Sequence, residues 1–328
     1  MLAKNKSVIK NHRIHVRAII KKLLARQSFK ITKKIKFGPR YFVAEGNLDS
    51  AKALFKICLY PKSYDHLTNE KFSREILFLD FLNNSRYSVL KKSIPQIHYS
   101  SVGTRAWYFR EYLVGKTYNI NDGNIRFTDS FFTKKNLDWF TQAFTELQSI
   151  QPKDLPLEFK KLLFPPQTLS YLWRFIGPYY LSVEKFTGIK GGTAQIKKLF
   201  KKYGTMYASA PRVLAHQEVY APHILKTKNN IKMIDWENIG WSLPTHDIVT
   251  MWMRANRHPA WQRQLYNKFK KFHRHYKKFD DLWTITVLTQ SVFNVIAFHF
   301  YKDKKDFVGL ANYSAQKIHA ILNNTYKA

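Results

Sequence analysis

Ionisable residues that could act on a phosphate or a hydroxyl are concentrated between Ala215 and Asp247, in the sequence AHQEVYAPHILKTKNNIKMIDWENIGWSLPTHD. This segment holds the carboxylates of Glu218 and Asp235 and the imidazole of His223. Phosphoryl transfer requires carboxylates for a metal ion and an acceptor group beside the attacking hydroxyl. We therefore interpret the segment as a candidate site for this chemistry.

A lysine earlier in the chain could supply the cation that nucleotide phosphates need. Lys56 lies in the middle of the predicted strand Leu54–Ile57, where its apolar neighbours point to the opposite face. A lone strand lysine usually contacts only solvent. Glu75, on the predicted helix that follows, could pair with the ammonium group and hold it near phosphates. The turn 46–51 (GNLDSA) could add backbone amides and Ser50 as further phosphate ligands.

Residue patterning before position 114 predicts a small sheet with one helix. Aromatic and β-branched runs at Lys34–Glu45 and Lys52–Tyr60 flank the GNLDSA turn and predict a hairpin. Apolar residues at helical spacing predict a helix over His66–Leu82. Two further strands are expected at Ile94–Ser100 and Arg105–Leu113. The predicted order is therefore strand, strand, helix, strand, strand.

From Thr128 onward the pattern is mostly helical, apart from two strand-like pieces at Ile224–Leu225 and Ile231–Ile234. Prolines at positions 152, 156, 165, 166 and 178 predict an irregular stretch. Helices are predicted at Leu137–Ile150, Gln195–Ala208, Thr245–Arg257, Trp261–Lys277, Leu282–Tyr301 and Phe307–Asn323.

The length of 328 residues exceeds the usual size of one hydrophobic core, so two lobes are expected. The predicted organisation is a basic amphipathic segment over residues 1–33, a nucleotide-binding N-lobe over 34–114 and a helical C-lobe over 115–328. Cys58 is the only cysteine, which excludes an internal disulfide framework and a cysteine-built zinc site. A single cysteine also fits a reducing cytoplasm.

The candidate segment resembles the catalytic loop of the aminoglycoside phosphotransferase and choline kinase superfamily. The usual form is His-Gly-Asp-x-x-x-x-Asn-Ile-Leu, then Ile-Asp-Trp/Phe-Glu, then Pro-x-x-Asp-Ile/Leu. Phe109–Gly115 resembles the strand that offers backbone groups to adenine, and the whole resemblance spans residues 35–325. The matching positions in the loop are His216, Glu218, His223–Leu225, Ile234–Glu237 and Pro244–Ile248.

The resemblance implies an α+β, bilobal, protein-kinase-like fold and an ATP-dependent phosphotransferase that uses Mg²⁺. Glu218 stands at the position of the catalytic aspartate. Asp235 and His223 stand at the positions of the metal ligands. Lys56, held by Glu75, matches the lysine that contacts the nucleotide phosphates.

Other positions carry supporting roles in the resemblance. His216 and Asp247 match residues that brace the catalytic loop through hydrogen bonds. Glu111 and Leu113 match the hinge that binds the adenine ring. Glu237 matches a position that is either structural or close to the metal, and the sequence does not decide between the two.

Two positions depart from the superfamily pattern. Glu218 keeps the carboxylate but places it one methylene further out, and His223 replaces an asparagine. Mg²⁺ prefers oxygen ligands, so an imidazole favours a borderline metal such as Mn²⁺. The retained Lys56, Glu75 and Asp235 favour an active enzyme. The two departures favour the alternative, a catalytically impaired pseudokinase that binds a nucleotide or another anion.

The net charge is +33, from 55 Lys and Arg against 22 Asp and Glu, and it limits the chemical classes of acceptor that the protein could bind. Such an excess attracts anions and repels polycations. Residues 151–328 contain only eleven acidic residues, and four of these belong to the motifs. We therefore expect a neutral or anionic hydroxyl acceptor, such as a sugar, a lipid-linked glycan or a phosphorylated alcohol, rather than an aminoglycoside. The further hypothesis of a nucleic-acid-binding protein without kinase ancestry is supported by the charge alone.

The first 44 residues carry thirteen Lys and Arg and no acid. Ile14, Ala18, Ile19, Leu23 and Leu24 recur at roughly helical spacing and predict a basic amphipathic helix. This helix could pack on the N-lobe, bind an anionic membrane or another polyanion, or act as an organelle transit peptide. We expect a cytoplasmic protein, with peripheral membrane association as an alternative. The most apolar segment, residues 282–301, is interrupted by polar residues and is interpreted as a buried helix.

Overall fold

The computed structural model describes residues 16–120, 126–300 and 304–327. Their contacts form two compact units. The first unit comprises the described residues up to Arg86 together with Ile94–Val114. The second comprises Tyr87–Ser93 and the described residues from Gly115 onward.

The first unit is built on a five-stranded antiparallel sheet with the order β1-β2-β3-β5-β4. A helix over residues 16–26, α1, precedes the sheet, and α2 (His66–Asn83) lies between β3 and β4 in the chain. The strands are β1 (Lys30–Phe37), β2 (Tyr41–Leu48), β3 (Ala51–Cys58), β4 (Ile97–Ser101) and β5 (Trp107–Glu111).

The predicted first strand, Lys34–Glu45, was wrong because it joins parts of two strands. β1 ends at Phe37, and a tight turn at residues 38–40 reverses the chain into β2. Gly38 and Pro39 in this turn are the signal that marks the boundary. The predicted hairpin is present, but its turn is only the two residues Asp49 and Ser50. In the described part of the chain, three strands, not two, therefore precede α2.

Helix α1 covers one face of the sheet. Val16 and Ile20 are buried together with Phe29, Phe55 and other apolar residues of the strands, and Leu23 and Leu24 pack against them. The buried side differs from the predicted one, because Ala18 is exposed. Ile14 lies outside the described residues. The described part of the basic segment thus packs on the N-terminal unit, as one of the three interpretations expected.

Helix α2 covers the opposite face of the sheet. Phe72 and Ile76 of α2 are buried with Tyr108 and Cys58 of the sheet. Asp65 caps the helix, since its side chain accepts a hydrogen bond from the Thr68 amide at 3.1 Å. Residues of β3 alternate between the two faces, and this alternation directs Lys56 toward α2.

Gly46 gives the first testable prediction, because it lies inside β2 rather than in the hairpin turn. A Cβ atom at this position would lie 2.3 Å from the Lys30 carbonyl oxygen and 2.5 Å from the Phe29 ring. We expect Gly46→Ala to destabilise the protein by about 2 kcal/mol through overpacking. Gly204→Ala is the matched control. It lies in a helix with open space around it and should stabilise by about 0.5–1 kcal/mol. Equal unfolding midpoints in urea for both variants would contradict this account.

The second unit is mainly helical and carries two small antiparallel sheets. One sheet has the order β6-β8-β9, with β6 (Gly115–Thr117), β8 (Ile224–Thr227) and β9 (Ile231–Met233). The other pairs β7 (Val213–Ala215) with β10 (Gly240–Ser242). The helices are α3 (Ser88–Lys92), α4 (Lys134–Ser149), α5 (Leu157–Leu162), α6 (Leu169–Ile176), α7 (Tyr180–Thr187), α8 (Gly192–Ser209), α9 (His246–Arg254), α10 (Pro259–Phe272), α11 (Phe279–Phe300) and α12 (Lys304–Leu322).

The proline-marked stretch is more ordered than predicted. Short helices α5 and α6 form between the prolines and α7 follows the last of them, and no proline lies inside these three helices. Thr168 caps α6, since its hydroxyl accepts a hydrogen bond from the Tyr171 amide at 3.1 Å. Proline therefore sets the ends of these helices and does not exclude them.

Helix α11 is the described helix whose length and apolar composition would suffice to cross a membrane. By itself this is weak evidence for a span, because core helices of globular proteins pass the same test. Twelve of its 22 residues are buried within the protein, among them Trp283 and Val292. Thr286 is buried as well, and its hydroxyl pairs with that of Thr245 at 2.7 Å. The helix is a core element of the second unit, as its polar interruptions predicted.

His273, at the end of α10, gives a prediction for pH dependence. Its Nε2 donates to the Gln148 Oε1 at 2.7 Å, and burial lowers its pKa to about 4. The folded state therefore binds this proton less readily than the unfolded state does. The resulting stability is present above about pH 6.5 and is lost as the pH falls toward 4. At pH 5 we expect a loss of about 2 kcal/mol from this group.

The measurement is the thermal unfolding midpoint at pH 5 and at pH 7.5. His273→Gln keeps a donor for Gln148 and removes the titrating group, so it should reduce the difference between the two midpoints. An unchanged difference in this variant would contradict the role of His273.

Candidate active site

Lys56 and Glu75 form the predicted ion pair in the first unit. The Lys56 Nζ lies 3.1 Å from the Glu75 Oε2, and the two side chains are only 13% and 4% exposed. The rings of Tyr41 and Phe72 lie 4.5 and 4.4 Å from the same ammonium. A buried ammonium needs such partners, because desolvation without them is costly. The lysine is thus held in one position.

The β2–β3 turn presents backbone amides without a glycine. Asp49 and Ser50 have φ values of 47° and 71°, the left-handed pattern of a type I′ turn. Both φ values are unusual for residues other than glycine, although aspartate tolerates this region better than most. Ser50 lies in this turn. Two residues later, Lys52 of β3 forms an ion pair with Glu45 of β2, with the Nζ and Oε1 atoms 3.8 Å apart.

The two predicted hinge residues differ in their backbone hydrogen bonds. The Glu111 amide donates to the Gln96 carbonyl at 2.8 Å, and the Glu111 carbonyl accepts from the Arg110 guanidinium at 3.0 Å. Leu113 follows the strand, and no hydrogen bond involves its backbone within the described part of the chain. The backbone amide and carbonyl of Leu113 could therefore form hydrogen bonds with the edge of an adenine ring, whereas those of Glu111 already have hydrogen-bond partners.

His216 is buried at the centre of the loop in the second unit. Its Nε2 lies 3.1 Å from the Ile234 carbonyl, to which it must donate, and its Nδ1 accepts from the Glu218 amide at 3.2 Å. Burial, with a smaller contribution from His223, lowers the His216 pKa to about 3, so the ring is neutral. The imidazole therefore links the strand end before Asp235 to the backbone of Glu218.

Asp247, in the first turn of α9, holds the same loop from the other side. Its Oδ2 accepts from the His216 amide at 2.6 Å and its Oδ1 from the Gln217 amide at 2.9 Å. Burial raises the pKa of Asp247 to about 7, and the two amide hydrogen bonds oppose this rise. Both carboxylate oxygens are therefore used to position the residues next to Glu218.

Glu218, His223 and Asp235 lie together. One ligand atom from each can be chosen so that all three lie within 4.8 Å of one another. The His223 Nδ1 donates to the Glu218 carbonyl at 2.9 Å, which leaves the Nε2 3.3 Å from the Asp235 Oδ2. Two lone pairs at this distance repel each other unless a cation relieves them, either a proton on the imidazole or a metal ion.

This donor set fits a divalent cation. A carboxylate and an imidazole are accepted by Mn²⁺ and Zn²⁺, whereas Mg²⁺ would use the carboxylates and water in preference to nitrogen. Asp235 would hold the ion, and the Nε2 of His223 is the ring nitrogen directed toward it. The hydrogen bond at Nδ1 fixes the tautomer that leaves Nε2 available for binding.

Two residues of the site have left-handed backbones. Gln217 has a φ of 68° and Asp235 a φ of 65°, and neither is a glycine. Such conformations cost free energy and persist where the surrounding structure determines them. Here the Asp247 hydrogen bond fixes Gln217, the residue that precedes Glu218.

Residues 39–282 match the sequence model of the phosphotransferase enzyme family. The match covers most of the chain and includes every predicted site residue. The chain belongs to this phosphotransferase family. A comparison with curated proteins by sequence gave no match.

Solved structures of phosphotransferases have the same fold. Spectinomycin phosphotransferase, in complex with ADP and spectinomycin, has a TM-score of 0.56 at 12% identity, covering 93% of this chain and 98% of that one. A GDP complex of an aminoglycoside 2′-phosphotransferase has a TM-score of 0.57 at 16% identity, covering 95% and 99%. A putative fructosamine-3-kinase from Haemophilus somnus has a TM-score of 0.50 at 15% identity, covering 91% and 96%. The bilobal α+β, protein-kinase-like fold expected from the resemblance is confirmed.

Sequence reasoning missed a cavity beside the loop of this phosphotransferase. The cavity has a volume of about 340 Å³ and lies wholly within the second unit. We call it the Gln217 cavity, because Gln217 is the lining residue next to Glu218. Trp241 lines it, whereas Trp283 is buried in the core. The other residues used below are Tyr207, Arg212, Tyr220, Arg254, Gln290, Phe293 and Asn294.

Proposed function

We propose that the protein is an active ATP-dependent phosphotransferase that transfers the γ-phosphoryl group to a hydroxyl of a neutral or anionic acceptor. The proposal is carried by the grouping of Glu218, His223 and Asp235 on a loop braced by His216 and Asp247. Glu218 would accept the proton of the attacking hydroxyl. The family membership supports the transfer reaction, and the geometry supports these roles for individual residues.

The first unit would bind the nucleotide. Lys56, fixed by Glu75, would contact the phosphates as a positioned cation. The amides of the Asp49–Ser50 turn would add hydrogen bonds to phosphate oxygens. At the hinge, the free backbone groups favour Leu113 over Glu111 for contact with the adenine edge. Similar solved structures contain ADP or AMP-PNP, which supports a nucleotide as donor.

Asp235 and His223 would hold the divalent cation, whose chemistry is to bridge and neutralise nucleotide phosphates. Because His223 contributes nitrogen in place of the usual amide oxygen, we propose that Mn²⁺ supports binding at least as well as Mg²⁺.

The acceptor side is not acidic. None of the described residues that line the Gln217 cavity is Asp or Glu. Some similar structures contain spectinomycin or hygromycin B, but a net charge of +33 and a cavity whose described lining has no acid are unsuited to polycations. A sugar, a lipid-linked glycan or a phosphorylated alcohol fits this environment better. A cytoplasmic location, with a basic surface available to polyanions, is part of the same proposal.

One observation favours the alternative of a pseudokinase. A protonated His223 could itself relieve the repulsion at Asp235, since its Nε2 is 3.3 Å from the carboxylate. The imidazolium would then occupy the place of the metal ion and the site would bind nucleotide without metal.

Thermal shift with ATP separates the two functions. The enzyme requires stabilisation by ATP that depends on Mg²⁺ or Mn²⁺ and is lost in Lys56→Ala and Asp235→Ala. The matched controls are Lys52→Ala, an exposed lysine on the same strand, and Asp281→Ala, an exposed acid. Stabilisation that persists in EDTA would support the pseudokinase. No stabilisation under any condition would refute nucleotide binding and the enzyme with it, and of the alternative it would leave only the binding of another anion.

A further inference from the structure

Arg212 is a half-buried cation in the wall of the Gln217 cavity. One of its terminal nitrogens donates to the Tyr207 carbonyl at 2.9 Å, and its guanidinium lies 5.5 Å from the Tyr207 ring. Among the described residues, no carboxylate lies within ion-pair distance of Arg212. One hydrogen bond satisfies only one of the five donors that a guanidinium offers.

The position of Arg212 relates it to the chemistry of the loop. It immediately precedes β7 (Val213–Ala215), and His216 and Glu218 follow that strand directly. β7 pairs with β10, which places Trp241 opposite Leu214. A group bound by Arg212 would therefore lie in the same cavity that Gln217 borders.

Arg254 is a second cation in the wall of this cavity. It lies in the last turn of α9, with its guanidinium 4.7 Å from the Tyr220 ring. Two arginines and no described acid thus line this cavity.

A partly desolvated guanidinium without a carboxylate is energetically unfavourable. Burial lowers the pKa of Arg212, and the ionisable groups that affect it are the phenols of Tyr207 and Tyr276 rather than carboxylates. Proteins retain such groups where a ligand supplies the missing charge. The planar fork of arginine matches the oxygens of phosphate and carboxylate.

We propose that the Gln217 cavity binds an anionic polyol, a phosphorylated or carboxylated sugar, whose acidic group is held by Arg212. This inference rests on the proposed phosphotransferase function, because it assigns the class of acceptor to that site. The rings of Trp241 and Phe293 offer apolar faces for a sugar ring, and the amides of Gln217, Gln290 and Asn294 offer donors and acceptors for hydroxyls.

The test measures binding without nucleotide, so that it does not depend on turnover. The probes are glucose, glucosamine, glucuronate and glucose 6-phosphate, titrated by calorimetry at 0.15 M salt. We expect glucuronate or glucose 6-phosphate to bind at least tenfold more tightly than glucose, and glucosamine to bind most weakly. The comparison of the two anionic sugars distinguishes a carboxylate from a phosphate.

Arginine variants separate this site from the general attraction of a basic protein for anions. Arg212→Gln should remove the preference for the anionic sugars, and Arg212→Lys should retain part of it. Arg263→Gln, an exposed arginine on α10, removes the same charge elsewhere and should leave the preference unchanged. Thermal unfolding of each variant shows whether the fold is retained.

Three results would overturn the proposal: no binding of either anionic sugar, glucosamine binding as tightly as they do, or an equal loss of preference in the Arg212 and Arg263 variants. Each differs from a failure of the phosphotransferase function, which the ATP thermal shift measures separately.

Discussion

Replacing Glu218 by glutamine is expected to reduce phosphoryl transfer by about 10²–10⁴-fold, the usual contribution of a general base. The substitution keeps the shape of the side chain and removes its ability to accept a proton. The surrounding loop should be undisturbed, since the Glu218 backbone carries the hydrogen bonds to His216 and His223. The readout is kcat with the acceptor that the cavity binds, alongside nucleotide affinity, which should change little.

Glu218→Asp tests whether the longer acid is a defect or a fitted part of the site. The backbone of Glu218 is fixed on both sides of its Cα atom. Its amide donates to the His216 ring, and its carbonyl accepts from the His223 ring and the Tyr220 amide. It cannot move forward to compensate for a lost methylene. We expect kcat to fall about a hundredfold, as for a reacting group misplaced by about 1 Å. An increase in kcat would show instead that Glu218 weakens an ancestral aspartate site.

Asp247→Asn is expected to cost about 3 kcal/mol of folding free energy and to reduce turnover together with it. Both oxygens of Asp247 accept backbone amides, whereas asparagine offers one oxygen and a second donor. One amide of the loop would then face an NH₂ group inside the protein. Because these amides belong to His216 and Gln217, the direction of the Glu218 side chain would be lost as well.

The control is Asp281→Asn, an exposed acid in the first turn of α11, which should change stability by less than about 0.5 kcal/mol. Stability is measured by denaturant unfolding and turnover by steady-state kinetics at one pH. If Asp247→Asn retained wild-type stability, the carboxylate would not be what braces the loop.

Local rules were sufficient to predict the ion pair of Lys56 and Glu75. Alternation along β3 sends Phe55 and Ile57 to the α1 face, so Lys56 must face α2. The resemblance to a family correctly indicated the fold, because it depends on an ordered set of motifs rather than on one. The composition of residues 282–301 likewise distinguished a core helix from a clear membrane span.

Features that depend on tertiary packing could not be predicted. Gly46 resembled a turn residue in the sequence. In the structure a glycine is required there because the Lys30 carbonyl and the Phe29 ring leave no room for a Cβ atom. The hydrogen bond from the His223 Nδ1 to the Glu218 carbonyl decides which ring nitrogen faces Asp235, and no sequence pattern encodes it. Arg212 was one of 55 basic residues, and its half-buried place in the wall of the Gln217 cavity depends on the tertiary fold.

The packing of α1 on the sheet determines how the basic segment could meet an anionic surface. Val16 and Ile20 are already buried, while Arg17, Lys21, Lys22 and Arg26 face outward. The described part of the segment could therefore contribute charge to such an encounter but no apolar anchor. Contacts of this kind act within the Debye length, about 8 Å at physiological salt and about 3 Å at 1 M. Whatever polyanion these side chains attract, a high-salt wash should release it.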